Sequence, residues 1–207
     1  ERPFGDIKKI TESNLSQIPK HDLLLAGFPC QAFSNAGKRK GFNDTRGTLF
    51  YDIEKILAFH KPKAFLLENV KGLRSHDGGE TLRIILEVLR STLGYYVPEP
   101  EVLNSKDFGV PQNRQRIYIV GFLKKNNFQY PKPTREPTKV GDILEPGRVP
   151  NKYTISDKLW ASHKARKQRN KLNGKGFGYS SKKRTDEYTS TLSARYYKAV
   201  SYTHLRA

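Results

Sequence analysis

The architecture can be worked out from one segment, Leu23-Leu24-Leu25-Ala26-Gly27-Phe28-Pro29-Cys30-Gln31. It opens with a continuous apolar run bounded by charge on one side and by Gly and Pro on the other, which predicts a short buried strand from Leu23 to Phe28. Cys30 is the only cysteine of the chain. It follows the carboxyl end of that strand, where open α/β sheets place their ligand crevice. Taken alone, Cys30 could equally be an inert buried thiol, so its function has to be judged from the rest of the chain.

Two further segments offer partners for this thiol. The run Ala64-Phe65-Leu66-Leu67-Glu68-Asn69-Val70 is a second apolar strand, with Glu68 near its carboxyl end. In Gln112-Asn113-Arg114-Gln115-Arg116 the polar residues precede the apolar run, which predicts a strand of opposite direction that starts at the same edge. Because Arg114 and Arg116 are two residues apart, an extended chain points both to one side. We therefore expect a thiol, a carboxyl group and two guanidinium groups at one edge of one sheet.

Residues 21 to 122 alternate between strand and helix patterns, which predicts an α/β fold with helices on the faces of a sheet. The predicted helix from Thr81 to Leu93 is amphipathic and is followed by Gly94, a residue type typical of helix termini. The predicted helices are Thr48 to Phe59 and Thr81 to Leu93, and the predicted final strands are Tyr95 to Leu103 and Arg116 to Phe122.

With these segments the chain resembles the DNA cytosine-5 methyltransferases, most closely the small HhaI-type bacterial modification methylases. The similarity is dense over residues 5 to 122, and the motifs follow the order and spacing of that family. They are Gly5-Asp6-Ile7, residues 26–34 around Cys30, Gly41-Phe42, residues 44–50, Glu68-Asn69-Val70, residues 112–116 and Thr191-Leu192-Ser193.

The resemblance implies a partial S-adenosylmethionine-dependent, Rossmann-like methyltransferase sheet with a smaller basic target-recognition region. It also implies covalent catalysis: the Cys30 thiolate adds to carbon-6 of a flipped-out cytosine and makes carbon-5 nucleophilic. Glu68 matches the carboxyl group that contacts ring N3 and the exocyclic amine. Arg116 matches the guanidinium that holds the ring carbonyl O2, and Arg114 orients the carboxylate or a phosphate.

The resemblance also implies binding residues. Asp6 matches the residue that contacts the adenine of S-adenosylmethionine, and Pro29 and Leu49 match residues that line the same pocket. Four residues are expected to contact double-stranded DNA, and no metal site is expected. The DNA-contacting residues are Gln31, Ser34, Arg46 and Thr191.

The family's cofactor loop, Phe-x-Gly-x-Gly, and its late Gly-Asn-Ser-Val element do not occur in this sequence. We therefore interpret the chain as a central fragment whose activity alone is doubtful. Proline density rises from Tyr130 to Thr134, where the strand pattern stops, which predicts a boundary. The expected division is a partial catalytic domain at 1–130, a partial target-recognition region at 131–198 and a tail unlike the family at 199–207.

The charge of the chain favours a polyanionic partner. The net charge is +18, from 38 basic and 20 acidic residues, and such an excess gives salt-dependent affinity for nucleic acid. Residues 151–200 carry 13 Lys or Arg against 3 Asp or Glu, and Lys158 to Arg169 reads as a basic helix. The glycine-rich stretch at 173–179 that follows suits close contact with phosphates and bases, or is a flexible basic loop.

One cysteine, no apolar stretch of membrane-spanning length and no visible signal peptide predict a cytoplasmic protein without a membrane partner. We expect a monomer, with a cognate restriction endonuclease as a possible partner. Two alternatives stay open: an RNA cytosine-5 methyltransferase and a non-catalytic DNA-binding fragment. The tRNA-modifying branch commonly carries another Pro before the Pro-Cys pair, where this chain has Phe28.

Overall fold

A computed structural model of the chain describes residues 5–29, 49–147, 150, 155–174 and 181–191, and the backbone of residues 204–205. The chain divides into two compact units. The first comprises Glu1–Leu103 and Gln115–Pro131, and the second comprises Asn104–Arg114 and Lys132–Ala207. Residues 104–114 therefore pack with the second unit. The functional domains expected from the sequence stay a prediction.

The α-helices are α1 (Ile7–Ser13), α2 (Leu49–His60), α3 (Glu80–Glu87) and α4 (Asp157–Leu172). The strands are β1 (Leu23–Gly27), β2 (Ala64–Val70), β3 (Glu101–Asn104), β4 (Gln112–Asn113), β5 (Gln115–Phe122), β6 (Ser181–Lys182), β7 (Thr189–Ser190) and β8 (His204–Leu205). Short 3₁₀ segments lie at Leu15–Gln17, Ser105–Phe108 and Val140–Ile143, and Lys71–Gly79 consists of 3₁₀ turns interrupted by a kink at residues 76–78.

The first unit is built on a mixed sheet with the strand order β1-β2-β5-β3. β1 and β2 are parallel, and Leu23 pairs with Ala64. β5 is antiparallel to β2, and Ala64 pairs with Phe122. The predicted α/β fold is confirmed, including the reversed direction of the strand that follows the Gln-Asn-Arg segment.

The hydrophobic core of the first unit lies between this sheet and its helices. Phe65 and Leu67 alternate with half-buried residues along β2 and are fully buried, as a strand with one packed face requires. On α2 the buried residues recur at helical spacing. The core cluster contains Phe28, Phe50, Ile53, Leu57, Phe65, Leu67, Leu73, Ile85, Val88, Leu89, Tyr95, Val97, Ile117 and Ile119.

The first apolar run is a strand, but the prediction that it is buried is wrong. Leu23 is 52% exposed and Leu25 is 65% exposed, whereas Leu24 and Ala26 are half-buried. Exposed and half-buried residues alternate along β1, so Leu23 and Leu25 lie on the face of the strand that is left uncovered, whereas Leu24 shares the face of the buried Phe65. β1 is also an edge strand, pairing only with β2 among the described strands. The buried residue of this segment is Phe28, which follows the strand and is 6% exposed.

Two other predicted elements differ in detail. Of the range Tyr95 to Leu103 that was predicted to be a strand, only the last residues form one, as part of β3, which begins at Glu101. Tyr96 makes a single β-bridge to Phe122. Pro98 and Pro100 lie between and lack the N–H group that a ladder needs. The helix predicted to reach Leu93 is α-helical only through α3 and closes with a wider π-helical turn at Val88–Thr92.

The second unit contains short strands and the predicted basic helix. β4 pairs in parallel with β7, and β6 with β8. The predicted basic helix is α4, which starts where the Ser156 side chain accepts a hydrogen bond from the Leu159 N–H. No helix in the described part of the chain is long and apolar enough to cross a membrane.

Candidate active site

Strand register brings Glu68 and Arg116 to one end of the sheet. Gly27, the last residue of β1, pairs with Glu68 on β2. Val70, the last residue of β2, pairs with Arg116 near the start of β5. Glu68, close to the end of β2, therefore lies beside Arg116, close to the start of the antiparallel strand β5, as the sequence predicts.

The two side chains form an ion pair. Arg116 Nε lies 2.7 Å from Glu68 Oε1, with side-chain exposures of 16% and 32%. The Nε–H bond is not directed at this oxygen, because Nε has no hydrogen-bond partner of acceptable geometry. Arg116 Nη1 donates instead to the backbone carbonyl of Gln115 at 2.8 Å. The carboxylate and the guanidinium are thus adjacent and partly open to solvent.

Gly27 leaves space for the carboxylate. A Cβ atom at this position would lie 3.3 Å from Glu68 Oε2, which is tighter than an ordinary van der Waals contact. The glycine lets the backbone of β1 approach Glu68 closely. The Gly27 position therefore helps to set where the Glu68 carboxylate lies.

The chain that leads toward Cys30 is fastened to the same strand end. The Phe28 N–H donates to the carbonyl of Glu68 at 3.5 Å. The buried Asn69 side chain donates through Nδ2 to the carbonyl of Phe28 at 2.8 Å. Pro29 is exposed. Cys30 lies outside the described residues, as do the predicted DNA contacts Gln31, Ser34 and Arg46, so their roles stay predictions.

Arg114 is held through its backbone. Its N–H donates to Asn104 Oδ1 at 2.9 Å, and its carbonyl accepts from the Ser105 N–H at 3.2 Å. Arg114 belongs to the second unit and Arg116 to the first. The structure therefore joins Glu68 with Arg116, and the predicted participation of Arg114 in the same site stays a prediction.

The predicted cofactor residues lie in the first unit. Asp6 is exposed and precedes α1, where its Oδ1 accepts from the Lys8 N–H at 3.1 Å. Leu49 begins α2 and packs against the core. Their predicted contacts with S-adenosylmethionine, and those of Pro29, stay predictions. Among the described residues, no three His, Cys, Asp or Glu side chains are grouped to hold a metal ion.

In the second unit, the predicted DNA contact Thr191 makes an internal hydrogen bond. Its Oγ1 donates to the carbonyl of Asn113 at 2.8 Å, and Gln112 pairs with Thr189. Two lysine ammonium groups lie over the Tyr188 ring, with Lys106 Nζ at 4.8 Å and Lys182 Nζ at 5.5 Å from the ring centroid. Contact of Thr191 with DNA stays a prediction.

Sequence reasoning missed two buried asparagines that organise these segments, Asn69 and Asn104. A signal was present for Asn69, since it is a polar residue within an otherwise apolar strand beside Glu68. Asn104 ends β3, where a polar residue is unremarkable, and its hydrogen-bond partners Lys106, Asn113 and Arg114 lie in a segment without regular apolar periodicity.

Comparisons with known proteins place the chain among methyltransferases. The type II methyltransferase M1.ScrFI of Lactococcus lactis subsp. cremoris is 56% identical over 203 residues, covering 96% of this chain and 51% of the relative. M.NlaX of Neisseria lactamica is 57% identical over 199 residues, covering 96% and 62%. M.HpaII of Haemophilus parainfluenzae is 55% identical over 181 residues, covering 86% and 50%. The chain thus spans about half the length of these curated relatives.

Solved structures agree on the fold. The Entamoeba histolytica methyltransferase EhMeth superposes with a TM-score of 0.61 at 22% identity, covering 93% of this chain and 54% of the other. A DNMT2 variant from Spodoptera frugiperda gives the same score and identity, with coverages of 91% and 55%. At this identity the likeness shows the fold alone.

The family model for C-5 cytosine-specific DNA methylases matches residues 1–205. The match spans both compact units and includes β2 and β5, which carry the Glu68–Arg116 pair. The resemblance predicted from the motifs is confirmed: the chain belongs to the C-5 cytosine-specific DNA methylase family.

Proposed function

We propose that the full-length protein containing this chain transfers a methyl group to carbon-5 of cytosine in a specific double-stranded DNA sequence. The observation that carries this proposal is the Glu68–Arg116 ion pair at the strand end from which the chain continues toward Cys30. A carboxyl group and a guanidinium at one edge offer contacts to the polar edge of a single pyrimidine.

In the proposed reaction the Cys30 thiolate adds to carbon-6 of a flipped-out cytosine. Glu68 contacts N3 and the exocyclic amine, and Arg116 holds the carbonyl O2, where negative charge develops. The bond to carbon-6 makes carbon-5 nucleophilic. After carbon-5 has gained the methyl group, loss of its proton and expulsion of the thiolate restore the aromatic ring and regenerate Cys30.

The methyl donor in this proposal is S-adenosylmethionine, which supplies an electrophilic carbon bound to a sulfonium. The described residues fit a nucleoside of this kind. Asp6 presents an exposed carboxylate that can accept hydrogen bonds, and Pro29 is an exposed apolar residue. Leu49 is half-buried at the edge of the core. These three residues are proposed to hold the cofactor.

The second unit is proposed to supply the target-recognition region, within residues 131–198, and much of the attraction for DNA. The helix α4 supports this because five of its basic side chains are exposed, and its one acidic residue is Asp157 in the first turn. The exposed cations are Lys158, Lys164, Lys167, Arg169 and Lys171. Direct contacts are proposed for Gln31, Ser34, Arg46 and Thr191.

The relatives named type II methyltransferases favour a role in a restriction–modification system. A cognate endonuclease acting on the same DNA sequence is therefore a proposed partner. We further propose that the enzyme acts as a monomer in the cytoplasm.

A mechanism-based trap tests the proposed chemistry. Fluorine at carbon-5 cannot leave as a proton, so duplex DNA with 5-fluorocytosine in the target sequence should accumulate as a covalent complex with the full-length enzyme and cofactor. Cys30→Ser should abolish the denaturation-stable band while non-covalent DNA binding persists. A band that survives in Cys30→Ser would reject the assignment of the nucleophile. Trapping with single-stranded RNA but not duplex DNA would favour the RNA methyltransferase alternative.

A further inference from the structure

Asn104 uses its whole amide group to close the loop before β5. The residue is 6% exposed. Its Oδ1 accepts from the Arg114 N–H at 2.9 Å and from the Lys106 N–H at 3.4 Å. Its Nδ2 donates to Asn113 Oδ1 at 2.8 Å. One side chain therefore joins the start of the loop to both residues at its end.

The neighbouring Ser105 reinforces this closure. Its N–H donates to the Arg114 carbonyl at 3.2 Å, and its Oγ donates to the Gln112 carbonyl at 2.6 Å. The N–H and the carbonyl of Arg114 are thus both bonded to residues 104 and 105. Because the backbone of Arg114 is fixed from both sides, so is the point from which its guanidinium extends.

We infer that Asn104 is a positioning residue for Arg114. The inference rests on the proposed function and on the role that the family resemblance implies for Arg114, which is to orient the carboxylate or a phosphate. Asparagine suits the position because its amide combines an acceptor for backbone N–H groups with a donor for another side chain. Alanine removes all three bonds, whereas aspartate keeps the oxygen that accepts from Arg114.

A double-mutant cycle on the full-length enzyme tests the inference. Asn104→Ala and Arg114→Ala are made singly and together, and single-turnover methyl transfer into duplex DNA is measured at saturating DNA. Asn104→Ala should slow the step at least about 10-fold, because small misplacements of a catalytic group have effects of this order or larger. In the Arg114→Ala background the same substitution should cause little further loss, because its effect acts through Arg114.

Additive losses across the cycle would overturn the inference, since a purely structural asparagine weakens the enzyme whether or not Arg114 is present. An unchanged rate for Asn104→Ala would overturn it as well. If Arg114→Ala itself keeps the wild-type rate, the proposed role of Arg114 fails and the inference fails with it. Additive losses, by contrast, would leave the proposed role of Arg114 intact and would reject only its positioning by Asn104.

Asn104→Asp keeps the test decisive if Asn104→Ala does not fold. The partner Asn113 is exposed, so its amide can rotate and offer its Nδ2 to the new carboxylate. Asn104→Asp should therefore retain more activity than Asn104→Ala, or remain folded where Asn104→Ala does not, and any loss of rate that it causes should disappear in the Arg114→Ala background. A loss that persists in the Arg114→Ala background would overturn the inference. Asn126→Ala is the matched control, because exposed Asn126 also accepts a backbone N–H, from Phe128 at 3.0 Å.

Discussion

Replacing Glu68 by glutamine should separate catalysis from stability. Glutamine has the same shape and keeps an oxygen near Arg116, but it removes the negative charge of the ion pair. Glu68 is 32% exposed, and its contact with Arg116 is not a directed hydrogen bond. An ion pair open to water in this way contributes about 1 kcal/mol or less to the free energy of unfolding. For a protein of about 150 residues or more that corresponds to a shift in Tm of at most about 4 °C.

The expected loss of catalysis is much larger. If Glu68 assists addition at carbon-6 through N3, its loss should slow methyl transfer by about 100- to 10,000-fold, the usual worth of general acid–base catalysis. This corresponds to about 2.7 to 5.4 kcal/mol in the activation free energy. The catalytic effect therefore exceeds the effect on stability several-fold, and the affinity for DNA should change far less than the rate.

The assay combines single-turnover methyl transfer, DNA binding and thermal unfolding of the full-length enzyme. Glu99→Gln is the matched control, because Glu99 Oε1 also lies 2.7 Å from an arginine nitrogen, Nη2 of Arg90, but its side chain is 83% exposed. The control should keep the wild-type rate. Equal rates for Glu68→Gln and wild type, or a rate loss fully matched by weaker DNA binding, would refute the proposed role of Glu68.

Three further outcomes are expected. Gly121→Ala should lower the free energy of unfolding by about 1–3 kcal/mol through overpacking, because its Cβ would overlap the buried Phe65 ring. Gly72→Ala is the control, since its Cβ would meet only Val70 Cγ2 at 3.9 Å, and equal urea midpoints for the two variants would contradict the prediction. Burial raises the pKa of Tyr95 to about 12, so its contribution to stability is complete below about pH 10 and is lost as pH rises toward 12. Tyr95→Phe should therefore reduce the fall of the urea midpoint between about pH 10 and pH 12, and an unchanged fall would contradict the prediction. Residues 1–207 expressed alone should bind duplex DNA weakly and with strong salt dependence, without methyl transfer and with negligible S-adenosylmethionine affinity; micromolar cofactor binding by calorimetry would contradict this.

The Glu68–Arg116 pair could be predicted from the sequence because it depends on strand direction. Polar residues after the β2 apolar run and before the β5 run imply opposite directions, and opposite directions bring Glu68 and Arg116 to one end. The helices were predictable for a similar reason, since apolar periodicity reports the face that packs on a sheet.

Other features depend on information that periodicity does not carry. An apolar run has the same sequence whether a neighbour covers it or not, so the exposure of Leu23 and Leu25 at the sheet edge could not be read from it. The shortened β3 was foreseeable in principle from Pro98 and Pro100. The bonds of Asn104 were not, because its side chain bonds the Asn113 side chain and the Arg114 N–H, which lie about ten positions further along the chain.

The prediction for Arg114 and Arg116 assumes that both residues belong to one strand. Residues two apart share a face only within one continuous strand. Here β4 ends at Asn113 and β5 begins at Gln115, and the Arg114 N–H is bonded to the side chain of Asn104 rather than to a backbone carbonyl. The division between the compact units also falls between Arg114 and Gln115. The backbone of Arg114 is therefore held by the segment 104–114, through which we infer that Asn104 positions it, while the backbone of Arg116 is held by its register with Val70. That both side chains point to one side stays a prediction.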